Sequence, residues 1–193
     1  MFPRSDYRVV IADPPWAFKS NSKAKPGRNA MRHYDCMSLD DIAALPVKDH
    51  VADDAALFLW ITGPFLAIAA HKPIMQAWGF DPSGMGFVWI KLYPGTVEPF
   101  HESDLTIGGG FTTRKNAEFV LIGKRGRSVR KSAAVREVII EPRREHSRKP
   151  DAFYRRVQEY SDGPYLELFA RETRLGFDCW GNETSKFSTG VAA

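Results

Sequence analysis

The stretch Arg8-Val9-Val10-Ile11-Ala12-Asp13-Pro14-Pro15-Trp16 decides the fold of this chain. Its first five residues form a short, β-branched, apolar run of the kind that makes a buried strand. The run ends at Asp13 because the prolines that follow cannot continue the hydrogen-bond ladder of a central strand. The sequence therefore predicts a buried strand that delivers Asp13 into a rigid loop.

Further apolar runs alternate with helical patterns along the chain. The other expected strands are residues 55–61, 87–91, 118–122, 138–140 and 165–169. Ser38 caps a short helix to about Ala44, Pro64 begins a helix toward Trp78 that Pro73 kinks or ends, and a last helix starts at 147–151 with Pro150 in its first turn. The alternation predicts a doubly wound α/β fold with a mostly parallel sheet, in which ligands bind at the carboxyl ends of the strands. The pattern does not decide between a hairpin and a crossover for 118–122 and 138–140.

Length and composition favour one domain over residues 1–185, followed by a short tail at 186–193. The chain has 193 residues and a net charge of +4. It contains no apolar run long enough for a bilayer span, and its two cysteines lack a CxxC pair or zinc-ligand spacing. We therefore expect no membrane segment, no disulfide framework, no metal site and a cytoplasmic location.

The positive charge is concentrated in one part of the chain. Residues 114–156 hold 14 Lys and Arg against 5 Asp and Glu. Such a segment can neutralise phosphates, and it can equally be a solvated surface. Charge alone therefore leaves nucleic acid as one of two open interpretations.

Asp13-Pro14-Pro15-Trp16 suits chemistry on a planar amino group. An adenine amino nitrogen is a poor nucleophile because its lone pair is delocalised, so a catalyst should accept its N–H bonds. Asp13 offers a carboxylate, Pro15 fixes the carbonyl of Pro14, and Trp16 offers a face for an extruded base. The structural alternative is a capping Asp, two stiffening prolines and a packed Trp.

The chain resembles the MT-A70 family of adenine methyltransferases, in an order and spacing that cover residues 8–183. The matching segments are Asp13-Pro14-Pro15-Trp16, Tyr34-Asp35-Cys36-Met37-Ser38, Leu57-Phe58-Leu59-Trp60-Ile61-Thr62-Gly63, Trp78-Gly79-Phe80, Val88-Trp89-Ile90-Lys91, Arg114-Lys115-Asn116-Ala117-Glu118, His146-Ser147-Arg148-Lys149-Pro150-Asp151, Glu167-Leu168-Phe169-Ala170-Arg171 and Trp180-Gly181-Asn182-Glu183. The resemblance implies a Rossmann-like methyltransferase domain with a permuted order, in which the catalytic motif precedes the cofactor strand at 165–169. Ala170 replaces a glycine that is usual in the family.

The resemblance also implies S-adenosylmethionine as cofactor and assigns roles to residues of the motifs. Lys149 would meet the methionine carboxylate, Phe169 and Arg171 would flank the cofactor, and Asn182 and Glu183 would bind its ribose or adenine. Asp13 would lie where cofactor and base meet, and Arg114, Lys115 and Asn116 would contact the substrate. Taken singly, Lys149, Arg171 and Asn182 could equally be ordinary surface or turn residues.

The sequence thus predicts methylation of the 6-amino group of adenine in nucleic acid. We expect a flipped adenine to stack on Trp16 and its nitrogen to attack the sulfonium methyl directly, with Asp13 and the Pro14 carbonyl holding the amino group. DNA is favoured because small bacterial and phage members of the family usually act on it. RNA adenine, cytosine, a glutamine amide and a non-catalytic nucleic-acid-binding scaffold are the alternatives, and the chain could act as a homo- or hetero-oligomer.

Overall fold

The computed structural model describes residues 2–17, 36–109, 113–145 and 147–187. Tyr34, Asp35, His146 and the predicted tail beyond Phe187 lie outside these residues. The strands are β1 (Tyr7–Ala12), β2 (Val51–Ile61), β3 (Asp81–Leu92), β4 (Ala117–Arg125), β5 (Val138–Pro142), β6 (Tyr165–Leu168) and β7 (Phe177–Trp180). The helices are α1 (Leu39–Ala43), α2 (Gly63–Ala67), α3 (His71–Ala77) and α4 (Asp151–Tyr160).

The strands form one seven-stranded sheet in the order β5-β3-β4-β2-β1-β6-β7. Only β4 runs antiparallel to its neighbours, β2 and β3, and the other pairings are parallel. The prediction of a mostly parallel α/β sheet is confirmed. The carboxyl ends of six strands and the amino end of β4 therefore meet at one edge of the sheet, which we call the carboxyl edge.

Both faces of the sheet are buried, as the alternating side chains of its strands require. Val10 of β1 packs in one cluster with Ile42 of α1 and Ile74 of α3. Its neighbour Ile11 packs in the other cluster with Phe153 of α4. Helices on opposite faces confirm the doubly wound arrangement.

Several predicted boundaries were wrong. The helix expected from Pro64 is two helices, and the chain breaks at 68–70, where Ala69 has a φ of 55°. Pro73 lies in the first turn of α3, where a missing N–H costs nothing, and so it neither kinks nor ends a helix. The strand expected to include Phe169 ends at Leu168, because Phe169 turns into the left-handed region with a φ of 60°.

Two features were absent from the sequence prediction. β7 is a four-residue edge strand paired in parallel with β6. β3 starts at Asp81, six residues earlier than expected, and its pairing with β4 has two register shifts. The link from β4 to β5, left open by the sequence, crosses over β3, because both strands pair with that strand.

Candidate active site

Asp13 lies at the carboxyl edge directly after β1. The strand order reverses at β1, because β2 to β5 lie on one side of it and β6 and β7 lie on the other. β2 pairs with β1 on one side and β6 on the other. In open α/β sheets such a switch point is where ligands bind. The position of Asp13 is therefore the one that the sequence predicted.

The two prolines after Asp13 hold a tight and well-anchored loop. The carbonyl of Pro14 accepts a hydrogen bond of 2.8 Å from the amide of Trp16, and the carbonyl of Pro15 accepts one of 3.0 Å from Met37. A carbonyl oxygen has two lone pairs, so the Pro14 oxygen keeps one acceptor site for a second donor. The loop thus offers two acceptors, a carboxylate and a fixed carbonyl, side by side.

Trp16 contributes to the core more than the sequence suggested. Its side chain is only 4% exposed, its ring stacks on Phe65 at 5.0 Å, and its indole N–H donates to the carbonyl of Trp60 at 3.2 Å. Little of the ring is left for a base, although Trp16 does line a cavity beside Asp13. Stacking of a base on Trp16 stays a prediction.

A chain of alternating charges joins Asp13 to β3 and β4. The Nζ of Lys149 lies 3.1 Å from Asp13 and 2.9 Å from Glu118, and Glu118 is also paired with Lys91. Lys149 is 10% exposed and its ammonium lies 4.4 Å from the centre of the Trp60 ring. The structure therefore fixes the Asp13 carboxylate from one side with a buried cation.

The protonation states within this chain follow from its charges. Burial alone would raise the pKa of Glu118, but the charges of Lys149 and Lys91 outweigh it and hold that pKa at about 2. Burial alone would lower the pKa of Lys149, but the charges of Asp13 and Glu118 raise it. Glu118 therefore stays anionic and Lys149 cationic at neutral pH.

Three cavities meet at Asp13, which lines all of them. The largest, which we call the cationic cavity, has a volume of about 290 Å³. Its charged lining is Asp13, Lys91, Glu118, Arg143, Arg144, Glu145, Arg148, Lys149 and Arg171. Its aromatic lining is Trp16, Trp60 and Trp89. Three of these cations also pair with acids outside the lining, namely Arg144 with Asp151, Arg148 with Glu172 and Arg171 with Glu183. Arg143 has no ion pair within the described ranges, and it is therefore the cation best placed to bind an anionic ligand.

The second, which we call the aromatic cavity, has a volume of about 270 Å³ and lies beyond β6 and β7. It is lined by Asp13, Pro15, Met37, Phe169, Ala170, Arg171, Trp180, Gly181, Asn182 and Glu183. A Cβ on Gly181 would lie 2.8 Å from the backbone of Ala170, so a larger residue would push the two loops apart. Arg171 and Glu183 pair at 3.5 Å. The structure thus brings together four of the predicted cofactor residues and Asp13.

The third cavity is small, about 20 Å³, and lies between the other two. Glu167 of β6 lines it with a side chain that is 7% exposed. Tyr154 donates to one carboxylate oxygen of Glu167 at 2.7 Å, and the second oxygen has no hydrogen-bond partner among the described residues. Burial raises the pKa of Glu167 to about 7, against the opposing effect of the Tyr154 hydrogen bond.

The remaining predicted residues do not line the aromatic cavity. Lys149 lines the cationic and small cavities but not the aromatic one. Arg114 and Lys115 are exposed and line none of these three cavities, while Asn116 gives its carbonyl to the amide of Lys91 at 2.8 Å. Their contacts with a substrate stay predictions.

The basic segment of the sequence is divided between two ends of the sheet. Arg143, Arg144 and Lys149 line the cationic cavity at the carboxyl edge. Residues 126–136 follow the end of antiparallel β4 and lie at the opposite edge, where Arg127 pairs with Asp54 and Lys131 with Asp162. Only part of the segment can therefore serve a ligand at Asp13.

Sequence reasoning missed Glu118, Lys91 and Glu167 as site residues. Glu118 and Lys91 stood in matched motifs, but their pairing depends on the register that sets Trp89 of β3 opposite Glu118. Glu167 carried a readable signal, since it is a lone acid inside an otherwise apolar strand. Among the described residues, no cluster of His, Cys, Asp and Glu could hold a metal ion. Within the same part of the chain, no helix is long and apolar enough to cross a membrane.

The fold and the site together define a Rossmann-like α/β domain with ligand cavities at its carboxyl edge. The sequence model of the MT-A70 family matches residues 7–183, so the chain belongs to the MT-A70 family. The family that the resemblance implied is thereby confirmed.

Named relatives agree with this assignment. Type II methyltransferase M.MunI of Mycoplasma sp is 31% identical over 94% of this chain and 79% of that protein. N6-methyladenosine RNA methyltransferase MTA1 of Cryphonectria parasitica is 29% identical over 94% of this chain and 52% of that protein. N(6)-adenine-specific methyltransferase METTL4 of Homo sapiens is 25% identical over 95% of this chain and 39% of that protein.

Proposed function

We propose that this protein transfers a methyl group from S-adenosylmethionine to the 6-amino group of adenine in DNA. The observation that carries the proposal is the place of Asp13, which lines all three cavities and is held by Lys149 at 3.1 Å. A carboxylate at the junction of two ligand cavities can contact a group from each. The family, whose relatives include adenine N6-methyltransferases, supports the same reaction.

The residues around the aromatic cavity fit S-adenosylmethionine. Phe169 and Trp180 give apolar walls for a nucleoside, and Asn182 and Glu183 give polar groups for its ribose and base. Lys149 and Arg171 are cations beside the small cavity, where a methionine carboxylate would find a partner. When bound, the cofactor supplies a methyl group that is already activated by the sulfonium, so no covalent intermediate with the protein is needed.

The protein then has to align the amino group and accept its proton. The Asp13 carboxylate and the free lone pair of the Pro14 carbonyl accept the two N–H bonds, which favours a pyramidal nitrogen whose lone pair is available for attack. As the C–N bond forms and the bond between the methyl carbon and sulfur breaks, the proton released from the amino group would go to a carboxylate oxygen of Asp13. Lys149 keeps that carboxylate in place and stabilises its charge before the transfer.

The cationic cavity supports nucleic acid as the substrate. Arg143, whose guanidinium pairs with no acid among the described residues, offers a partner to a phosphate that flanks the target nucleotide. The cavity, at about 290 Å³, has room for an unstacked base. We favour DNA over RNA because Type II methyltransferase M.MunI, at 31% identity, is more similar to this chain than the RNA methyltransferase MTA1, at 29% identity. We therefore propose DNA, with RNA as the substrate to be excluded.

The test is product identification. The purified protein is incubated with methyl-labelled S-adenosylmethionine and with unmethylated DNA or RNA, and the nucleosides of each digest are separated. Label should appear in 6-methyladenine from DNA. When DNA and RNA compete directly, much less label should appear in 6-methyladenine from RNA. Label in RNA alone would overturn the substrate assignment, and cofactor binding without any transfer would favour a non-catalytic scaffold.

A further inference from the structure

The loop between β3 and β4 exposes an unusual amount of apolar side chain. Val97 is 78% exposed and Ile107 69%, and both lie on this loop together with the partly exposed Tyr93. These are three of the eight large exposed hydrophobic residues in the described part of the chain. Single exposed apolar residues are ordinary, but a concentration on one loop beside a site indicates a contact surface.

Ile107 is presented by a fixed backbone. Its own amide donates to the hydroxyl of Tyr93 at 3.3 Å. The residue before it, Thr106, donates to the carbonyl of Lys91 at 2.8 Å, and the residue after it, Gly108, donates to the carbonyl of Lys115 at 2.9 Å. A side chain held in this way can enter a partner at little cost in backbone order.

The surroundings of Ile107 are charged and adjoin the site. Lys91, to which Thr106 is bonded, lines the cationic cavity. Lys115, to which Gly108 is bonded, is exposed beside the exposed Arg114. Backbone hydrogen bonds thus tie the residues on either side of Ile107 to Lys91 at the cavity and to Lys115 next to Arg114, and the exposed Arg114 and Lys115 are available to a nucleic-acid backbone.

DNA gives this arrangement a specific use. If the proposed function holds, the target adenine must leave the base stack to reach Asp13, and its departure leaves an apolar gap in the duplex. Proteins that kink DNA commonly insert Ile, Leu, Phe or Met between base steps, and the same side chains suit the gap left by a flipped base. Burial of an aliphatic side chain there offsets part of the cost of unstacking one base.

We propose that Ile107, supported by Tyr93, inserts into the stack of a DNA duplex at the position vacated by the target adenine, while Arg114 and Lys115 contact the flanking phosphates. The inference rests on the proposed function and extends it from adenine in DNA to adenine in paired DNA. It gives Ile107 and Tyr93 the role of holding the duplex open.

The test compares one target sequence in three forms: a single strand, a full duplex and a duplex with an abasic position opposite the target. The variant is Ile107→Ala, and the matched control is Leu175→Ala, because Leu175 is 98% exposed and lines none of the three cavities at Asp13. Ile107→Ala should lower kcat/KM on the duplex by about 10- to 50-fold. Its kcat/KM on the single strand should equal that of the parent protein, and its kcat/KM on the abasic duplex should be close to that of the parent protein. Leu175→Ala should have the kcat/KM of the parent protein on all three substrates.

A second measurement needs no methyl transfer. A duplex with 2-aminopurine at the target position should brighten when the parent protein binds, and Ile107→Ala should bind with a much smaller increase. An equal loss on single strand and duplex, or no loss on the duplex, would overturn the insertion. If the parent protein methylates no DNA, the proposed function fails by itself, and an undiminished 2-aminopurine signal with Ile107→Ala overturns the insertion separately.

Discussion

Glu118 and Glu167 line two different cavities that share Lys149, and their pKa values are shifted in opposite directions. Glu118 lines the cationic cavity between two lysines, and its pKa is held at about 2. Glu167 lines the small cavity beside Tyr154, and burial raises its pKa to about 7. In the cationic cavity, Glu118 is paired with two lysines and stays charged, whereas beside the small cavity burial opposes the ionisation of Glu167. Removing charges at the two cavities should therefore have effects of different sign and different pH dependence.

The largest change in the free energy of unfolding should come from replacing Lys149, which lines both the cationic and the small cavity. Lys149→Met removes the buried cation that lies 3.1 Å from Asp13 and 2.9 Å from Glu118, and so leaves two acids facing each other. Loss of one member of a buried charge group costs about 3–5 kcal/mol. Urea unfolding at pH 7 measures this cost, and Lys131→Met, at an exposed pair on the opposite edge, is the control. Equal stability of the two variants would contradict a structural role of the charge chain.

Glu167→Gln should have the next largest effect, and it should stabilise the protein. The folded pKa of about 7 lies above the ordinary value of 4.5, so the unfolded chain loses this proton first and folding stability falls as the pH rises from 4.5 to 7. Replacing the acid with an amide removes that loss, worth up to about 3 kcal/mol. The variant should equal the parent protein below pH 4.5 and exceed it at pH 8 in urea unfolding. A variant that is less stable at pH 8 would mean that Glu167 is ionised and paired.

Glu118→Gln should have the smallest effect, in the opposite direction. The folded pKa of Glu118 lies below its ordinary value of 4.5, so its contribution is present above pH 4.5 and is lost as the pH falls toward 2. Its side chain is partly exposed, which screens the pair, and we expect a loss of about 1–2 kcal/mol at neutral pH. The loss should shrink in acid, and a difference that stays constant down to pH 2 would contradict the pairing with the lysines.

The sequence predicted what depends on local pattern. The buried run before Asp13 and the capped helix after Ser38 are where they were expected, because apolar runs, prolines and capping residues act over a few positions. β7 was missed because Phe177–Trp180 is only four residues long and alternates weakly. The sequence did not predict that β4 is antiparallel, because the local residue pattern of a strand does not indicate its direction in the sheet.

The site divides in the same way. The position of Asp13 was predicted from a strand that ends in prolines. The cofactor residues that line the aromatic cavity were predicted from the family resemblance. The contact between Lys149 and Glu118 joins residues 31 positions apart, and it depends on how the loop before α4 folds back onto β4. The burial of Trp16 depends on Phe65 in α2, which no motif linked to it.

The most direct test of the account is the rate of methyl transfer by Asp13→Asn in a single turnover, with the affinity for S-adenosylmethionine measured on the same preparation. Asn keeps the size of the side chain but cannot take the proton from the adenine nitrogen. The cofactor should still bind, and the rate of methyl transfer should fall by about 10²- to 10⁴-fold. A rate close to that of the parent protein would contradict the role of Asp13 as the group that holds and deprotonates the adenine.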